Sequence, residues 1–328
     1  MKAVAGVVAA ALALAIVAGA WFGDAVFYDT SHPANETTVS IVRGSTLGDV
    51  AAQLAQSGVI GNAFVFRAWA KVRRADTGVR AGEYRFPPHL TQSDVLERLL
   101  GGGAQIAKWV TIPEGFTAKQ IATRLAGEGL GSAVLLERAF LRDRIVVDGS
   151  RTKNLEGYLF PSTYLVAIGS SPVQIENVLT EQFFKELPSD AKARAKAMGF
   201  TIPQIVTVAS LIEREAKVDS ERPIMAGVYY NRLAMGMPLE VDATIEYALP
   251  AYKTELSYAD LKIDSRFNSY THTGLPPTPI ANPGRASLEA AFHPAKTPYL
   301  YYVYKGNGHH AFARTLEEHN ANVAKYEH

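Results

Sequence analysis

From Ala3 to Gly23 the chain carries no charged residue, and a run of that length restricts the architecture before any other feature does. At about 1.5 Å per helical residue, about twenty residues cross a hydrocarbon core of about 30 Å. Residues 1–23 are therefore expected to form a transmembrane signal anchor, with the remaining chain folding outside the bilayer. Only Lys2 and the amino terminus precede the run, whereas Asp24 and Asp29 follow it. The positive-inside tendency then puts the N-terminus in the cytoplasm and the body on the far side. The alternative is a cleaved leader, since Ala18 to Ala20 forms an A-x-A site behind an apolar run. The run exceeds the usual leader core of about 7–15 residues, which favours the anchor. Both readings leave the body on the same side of the membrane.

A chain of 328 residues has room beyond the anchor for two domains. Its 33 basic and 32 acidic residues nearly cancel, so there is no field to attract nucleic acid, and no nucleic-acid partner is expected. The absence of cysteine removes disulfide frameworks, thiol nucleophiles and thiolate metal sites together.

Residues 24–36 are polar and contain a proline in TSHPAN, and they read as a linker. A small strand-and-helix unit follows over 37–105. Val39 to Val42 alternates like a strand, Thr46 caps LGDVAAQLAQ, Asn62 opens AFVFRAWAKVRR, Gly82 to Phe86 is a second strand, and a helix from Gln92 ends at Gly101 to Gly103. The segment from Gly44 to Val59 has an echo from Gly115 to Leu130, and both segments read as strand, glycine turn, Thr-capped helix and glycine stop. Shared descent and the generic form of short capped helices both account for it. Residues 106–328 read as one α+β body. Helices are expected at Thr117 to Gly127, Val134 to Leu141, Val173 to Leu187, Pro203 to Lys217 and Ile224 to Met235, then a hairpin from Tyr299 to Arg314 and a closing helix from Leu316 to Tyr326.

Chemistry concentrates between Thr207 and Gly284. The segment VASLIEREAKVDSERPIMAGVYYNRLAMGMPLEVDATIEYAL puts two glutamates on a helix, and RFNSYTHTGLPPTPIANPG crowds polar and aromatic residues into loops. That is how an enzyme cleft is laid out, with an acid on a rigid element and binding groups on loops. On a helical wheel Ile205, Val208, Ala209, Ile212 and Ala216 form one face, with Glu213 and Glu215 about 80° to either side. Spacing does not choose between the two, and a solvated pair of Glu213 with Lys217 is the ordinary alternative.

Together with LEGYLFPSTY at Leu155 to Tyr164 and HPAKTPYLYYVYKGNGHHAF at His293 to Phe312, this block resembles the endolytic murein transglycosylases, the MltG or YceG-like family. The resemblance implies an anchored α+β protein with a small LysM-like α/β module at 37–105 and a catalytic domain at 106–328. The body would then lie in the periplasm of a bacterium, tethered to the inner membrane. It implies a lyase that cuts peptidoglycan glycan strands, with peptidoglycan synthases as protein partners and no cofactor. Glu213 in S-L-I-E-R-E aligns with the family's single catalytic acid. Asn231, Asp242, Thr244, Asn268 and Tyr270 match its polar pattern as substrate-binding candidates, although Asn and Asp also cap helices and turns without any ligand. Glu156 is the candidate supporting acid, with a bracing role in the cleft floor as its alternative. Glu114, in I-P-E-G, is a possible substrate contact or a plain turn charge.

Other chemistries fit poorly. The histidines show no H-E-x-x-H spacing, and the adjacent His309 and His310 in a strand point to opposite faces. Ser189 to Lys192 matches S-x-x-K, but the companion S-D-N motif is missing. A non-catalytic, membrane-tethered wall-binding scaffold is the competing class.

Overall fold

A computed structural model describes residues 2–326 apart from 43, 76–77, 102–105, 252 and 254–255. The glycines expected to close the helix from Gln92, and the expected boundary at 105, fall partly or wholly outside the described residues. The chain divides into two compact units, Met1–Trp109 with Leu165–Ser170, and Val110–Tyr164 with Ser171–His328.

The first unit begins with α1 (Lys2–Phe27). Its apolar stretch Gly6–Phe27 is long and apolar enough to cross a membrane, and Gly6 to Trp21 are exposed. Its last turn behaves differently. Val26 is fully buried, the Phe27 ring meets Trp69 edge-on at 4.8 Å, and Gln92 donates to the Ala25 carbonyl. The linker folds back as well, the His89 N–H reaching the Pro33 carbonyl at 2.9 Å.

Beyond it lie β1 (Thr37–Ile41), α2 (Leu47–Gln56), α3 (Ala63–Val72), β2 (Gly82–Phe86), α4 (Gln92–Gly101) and β3 (Ala107–Thr111). β1 and β2 pair antiparallel, Thr37 opposite Phe86 and Ile41 opposite Gly82. Thr46 and Asp49 form a reciprocal capping box on α2, and the Asn62 side chain accepts from the N–H groups of Phe64 and Val65. Such caps satisfy donors that a helix start otherwise leaves open. Val39, Ile41, Val50, Leu54, Phe66, Tyr84, Phe86 and Leu96 close one core.

The second unit runs through α5 (Ala118–Gly127), α6 (Ala133–Arg142) and the short hairpin β4 (Val146–Val147) and β5 (Ser150–Arg151); β6 (Thr163–Ala167) pairs with β3, and the residues of both strands are divided between the two units. α7 (Pro172–Glu186), α8 (Ala191–Met198), α9 (Ile202–Glu215), α10 (Arg222–Ala234), α11 (Asp242–Ala248) and α12 (Arg285–Phe292) follow. The hairpin β7 (Tyr301–Gly306) and β8 (His309–Ala313) and then α13 (Leu316–Tyr326) complete the chain. Thr117 caps α5 with the same reciprocal geometry that Thr46 gives α2, so the sequence echo is also an echo of local structure. With helices gathered on small antiparallel pairs, the fold is mixed α+β, in agreement with the sequence reading.

α9 is the hub of this unit. Thr201 and Gln204 make its capping box, with Pro203 in the first turn where its missing N–H costs nothing. α8, α10, α11 and α12 all pack on it. Ile205 through Ile212 are therefore buried without interruption, and the single apolar stripe expected from periodicity becomes an all-round contact surface.

Candidate active site

Glu213 lies in the last turn of α9, with its side chain 7% exposed. The helix ends at Glu215, and Ala216 is already extended. Lys217 is thus off the helix, and Glu213 pairs elsewhere. Its Oε2 accepts from the N–H of Gly284 at 3.0 Å and lies 3.6 Å from Nη1 of Arg222. That guanidinium is held in turn by Ser287 Oγ and, through Nε, by Asp219 at 3.0 Å. The next residue, Arg214, reaches the Gly115 carbonyl and makes a 2.7 Å bond to Glu246.

One turn back on α9, Ser210 Oγ accepts from the N–H of Ile280 at 3.1 Å, fixing the P-T-P-I-A-N-P-G loop to the helix. From this loop Asn282 ties three segments together. Its Oδ1 accepts from the N–H groups of Gly157 and Leu159, and its Nδ2 donates to the Phe116 carbonyl and to Glu156 Oε1. Gly157 has φ +90°, and a Cβ there would lie 2.4 Å from Pro279, so both conformation and space demand glycine at that crossing.

Glu156 is 1% exposed. Its Oε1 also accepts from the Ala118 N–H at 2.9 Å, and the Tyr247 hydroxyl donates to Oε2 at 3.1 Å. Burial pushes its carboxyl up to about 7, against the pull of those three donors. Glu215 sits on the other side of the α9 terminus, its Oε2 accepting from the Tyr302 hydroxyl at 3.3 Å. Burial, then the charge of Asp242, push it up to about 7, while the Ala243 N–H and Tyr302 oppose the shift.

The remaining expected residues spread over the neighbouring loops. Asp242, exposed at the start of α11, accepts from the Tyr270 hydroxyl. Thr244 is fully buried and bonds Ser269 Oγ and the Val241 carbonyl. Asn268, also fully buried, donates to the carbonyls of Leu261 and Ile263 and accepts from the Tyr270 N–H. Asn231 donates to the carbonyls of Thr297 and Tyr299, steadying the approach to β7. Glu213 and Glu156 thus share the Gly284–Asn282 loop, Asp242 and Tyr270 form an accessible pair, and Thr244, Asn268 and Asn231 spend their polar atoms on backbone.

A cavity of about 760 Å³ opens beside this site. Glu156, Arg214, Glu246, Tyr247, Phe116 and Lys119 are among its walls, which supply charged and aromatic groups on a scale suited to sugar residues. Arg222, Ser210, Asn282 and Gly284 were not singled out from sequence. Arg222 follows D-S-E as one more surface-type charge, and nothing local marks its turn into the interior. The N-P-G at Asn282 to Gly284 was visible as loop chemistry, but the side-chain bonds of Asn282 span 123 to 166 positions along the chain and leave no local signal. Among the described residues no group of three or more His, Asp or Glu is arranged to hold a metal ion.

A helix-borne, enclosed glutamate facing a braced loop beside a sugar-sized cavity is the arrangement of a polysaccharide-cleaving enzyme, and comparison with known proteins gives the class. The YceG-like family model matches residues 39–325, and the chain belongs to that family. It is 34% identical over 331 residues to the endolytic murein transglycosylase of Bacillus subtilis, covering 95% of this chain and 91% of that one. Against the protein of the same description from Streptococcus pneumoniae serotype 2 it is 29% identical, over 94% of this chain and 62% of that longer relative. The crystal structure of a YceG-like protein from Listeria monocytogenes superposes with a TM-score of 0.59 at 32% identity, covering 88% of this chain and 98% of that one.

Proposed function

We propose that the protein is a membrane-anchored endolytic lytic transglycosylase that cuts the bond between N-acetylmuramic acid and N-acetylglucosamine within nascent peptidoglycan strands. The observation that carries the reading is Glu213, a carboxyl 7% exposed at the end of a rigid helix in a chain whose relatives are named for this activity. Cleaving a glycosidic bond requires a proton for the leaving oxygen while positive charge grows at the anomeric carbon. Glu213 gives that proton to the departing N-acetylglucosamine oxygen, and its carboxylate then takes the proton of the muramic 6-hydroxyl. The 6-oxygen closes on the anomeric carbon as the old bond breaks, leaving a 1,6-anhydro end. No water enters the products, and the carboxyl finishes as it began.

Fixed geometry suits an acid that must act twice. The Gly284 N–H and Arg222 hold one oxygen of Glu213, and the other oxygen is assigned to substrate. Asp242 and Tyr270 are the accessible candidates for hydroxyl and acetamido groups. Glu156 supports the site as a brace between α5, Tyr247 and Asn282, while Thr244, Asn268 and Asn231 shape the loops. The β1-α2-α3-β2 order of the first unit is the one expected of a LysM-like wall-binding module, and α1 is read as a single-pass inner-membrane anchor with the body periplasmic. Peptidoglycan synthases, which make the nascent strands, are the proposed protein partners.

Glu213→Gln is the test, because an amide neither donates nor accepts the required proton. Turnover on purified glycan strands should fall by about 10² to 10⁴-fold, the usual worth of a general acid, with an unchanged unfolding midpoint. A variant that keeps more than about a tenth of wild-type turnover would move the role to Glu215 or Glu156.

A further inference from the structure

A second carboxyl lies against the same backbone unit that holds Glu213. Glu114 sits in the turn between β3 and α5. A Cβ on Gly284 would come within 1.8 Å of Glu114 Oε1 and 2.2 Å of its Cδ. Gly284 has φ −77° and ψ 176°, extended backbone open to any residue, so what glycine leaves there is the space that the Glu114 carboxyl occupies. The N–H of this same glycine donates to Glu213 Oε2 at 3.0 Å. Standard bond lengths then place the two carboxyls within roughly 7 Å of each other. From the other side, Gly115 brings its backbone against Glu213, a Cβ there lying 3.6 Å from Glu213 Cγ.

The charges around the pair do not balance. Arg222 faces Glu213 and is shared with Asp219, and Arg214 is committed to Glu246 and the Gly115 carbonyl. Three carboxyls, Glu114, Glu213 and Asp219, thus surround one guanidinium. Burial first, and then the charge of Glu213, raise the Glu114 carboxyl above its ordinary range, with Arg222 opposing and Asp219 adding to the rise. A carboxyl held near another negative charge in an enclosed site ionises less readily than it would alone.

We propose that Glu114 is a positioning residue of the transglycosylation: packed against Gly284, its carboxyl sets a second negative charge beside Glu213, so that the site retains the proton that Glu213 delivers. The inference rests on the assignment of Glu213 as the acid. The balance closes without outside help. The pair enters with one proton, loses it to the leaving oxygen, and regains one from the 6-hydroxyl.

The test is the pH dependence of kcat/KM for the full-length, detergent-solubilised protein on glycan strands, comparing wild type with Glu114→Gln, Gly284→Ala and Glu114→Asp. Removing the neighbouring carboxylate lets the last proton leave more easily. Glu114→Gln should therefore move the basic limb down by about one pH unit, cutting activity above neutrality by about tenfold while leaving it within about threefold near pH 5. Gly284→Ala keeps the N–H for Glu213 but pushes the Glu114 carboxyl aside, and should move the limb the same way. It carries the test if Glu114→Gln does not fold. Glu114→Asp, which keeps the charge, should restore most of the profile. An unshifted limb in both displacing variants, or a loss equal at every pH, overturns the proposal and leaves Glu213 standing. An active Glu213→Gln overturns the assignment of the acid and the role of Glu114 with it.

Discussion

A carboxyl 1% exposed that accepts three hydrogen bonds, as Glu156 does, makes stability depend on pH. Its folded value of about 7 lies above the ordinary 4.5, so between those values the folded state holds a proton that the unfolded chain has released. The contribution is fully present below pH 4.5 and is lost as pH rises through about 7, a few kcal/mol at about 1.4 kcal/mol per unit. Glu215 acts in the same direction. Urea midpoints of the wild type should fall between pH 5 and pH 8. Glu156→Gln, which keeps the acceptor for Ala118 and Asn282, should show a visibly smaller fall, and an equal fall in both proteins would remove Glu156 from this account. The sequence made Glu156 and Glu213 legible because motifs surround them. It could not show that Arg222 and Gly284 hold Glu213 in place of Lys217, because those contacts depend on where the helix stops and which loop crosses it.

Among the elements, those with strong local signals were readable. α2, α3, α5 and α9 carry Thr or Asn caps, and their bounds agree with the sequence reading to within two residues. α8, α11 and α12 were not foreseen, and none has a side-chain cap bond. They are helical because α9 and its neighbours give them a surface to pack on, a tertiary effect that local propensity does not register. β3 was expected as the strand ahead of the Gly115 turn, whereas β6 escaped notice for a similar reason, since its partner β3 is more than fifty positions away. The contact of α9 with the loop before α12 is also where mutation should be most informative. Ser210→Ala leaves the buried Ile280 N–H without its acceptor, which should cost about 1–3 kcal/mol. Because that loop carries Asn282 and Gly284, turnover should fall by more than the loss of folded protein explains. Full specific activity in the remaining folded fraction would mean that the loop does not position Glu213.

At the scale of the molecule, the apolar run was unmistakable, while the manner of its attachment was not. The sequence suggested a linker over 24–36 reaching roughly 45 Å when extended. Instead α1 continues to Phe27, buries Val26, sets the Phe27 ring edge-on to Trp69 and receives a bond from Gln92. The rest of the first unit is thereby fastened to the end of α1 and, if α1 spans the bilayer as proposed, is held close to the membrane surface. Newly made strands are then the glycan within its reach. On long strands, products should shorten through intermediate lengths over time, and steady release of disaccharide from the outset would mark an end-acting enzyme. The central claim is that Glu213 returns its proton through the sugar's own 6-hydroxyl and not through water. The mass of the new glycan ends tests it directly. Fragments released by the wild-type protein should be lighter by one water than hydrolysis products and carry no reducing muramic end. Fragments ending in reducing N-acetylmuramic acid would contradict it.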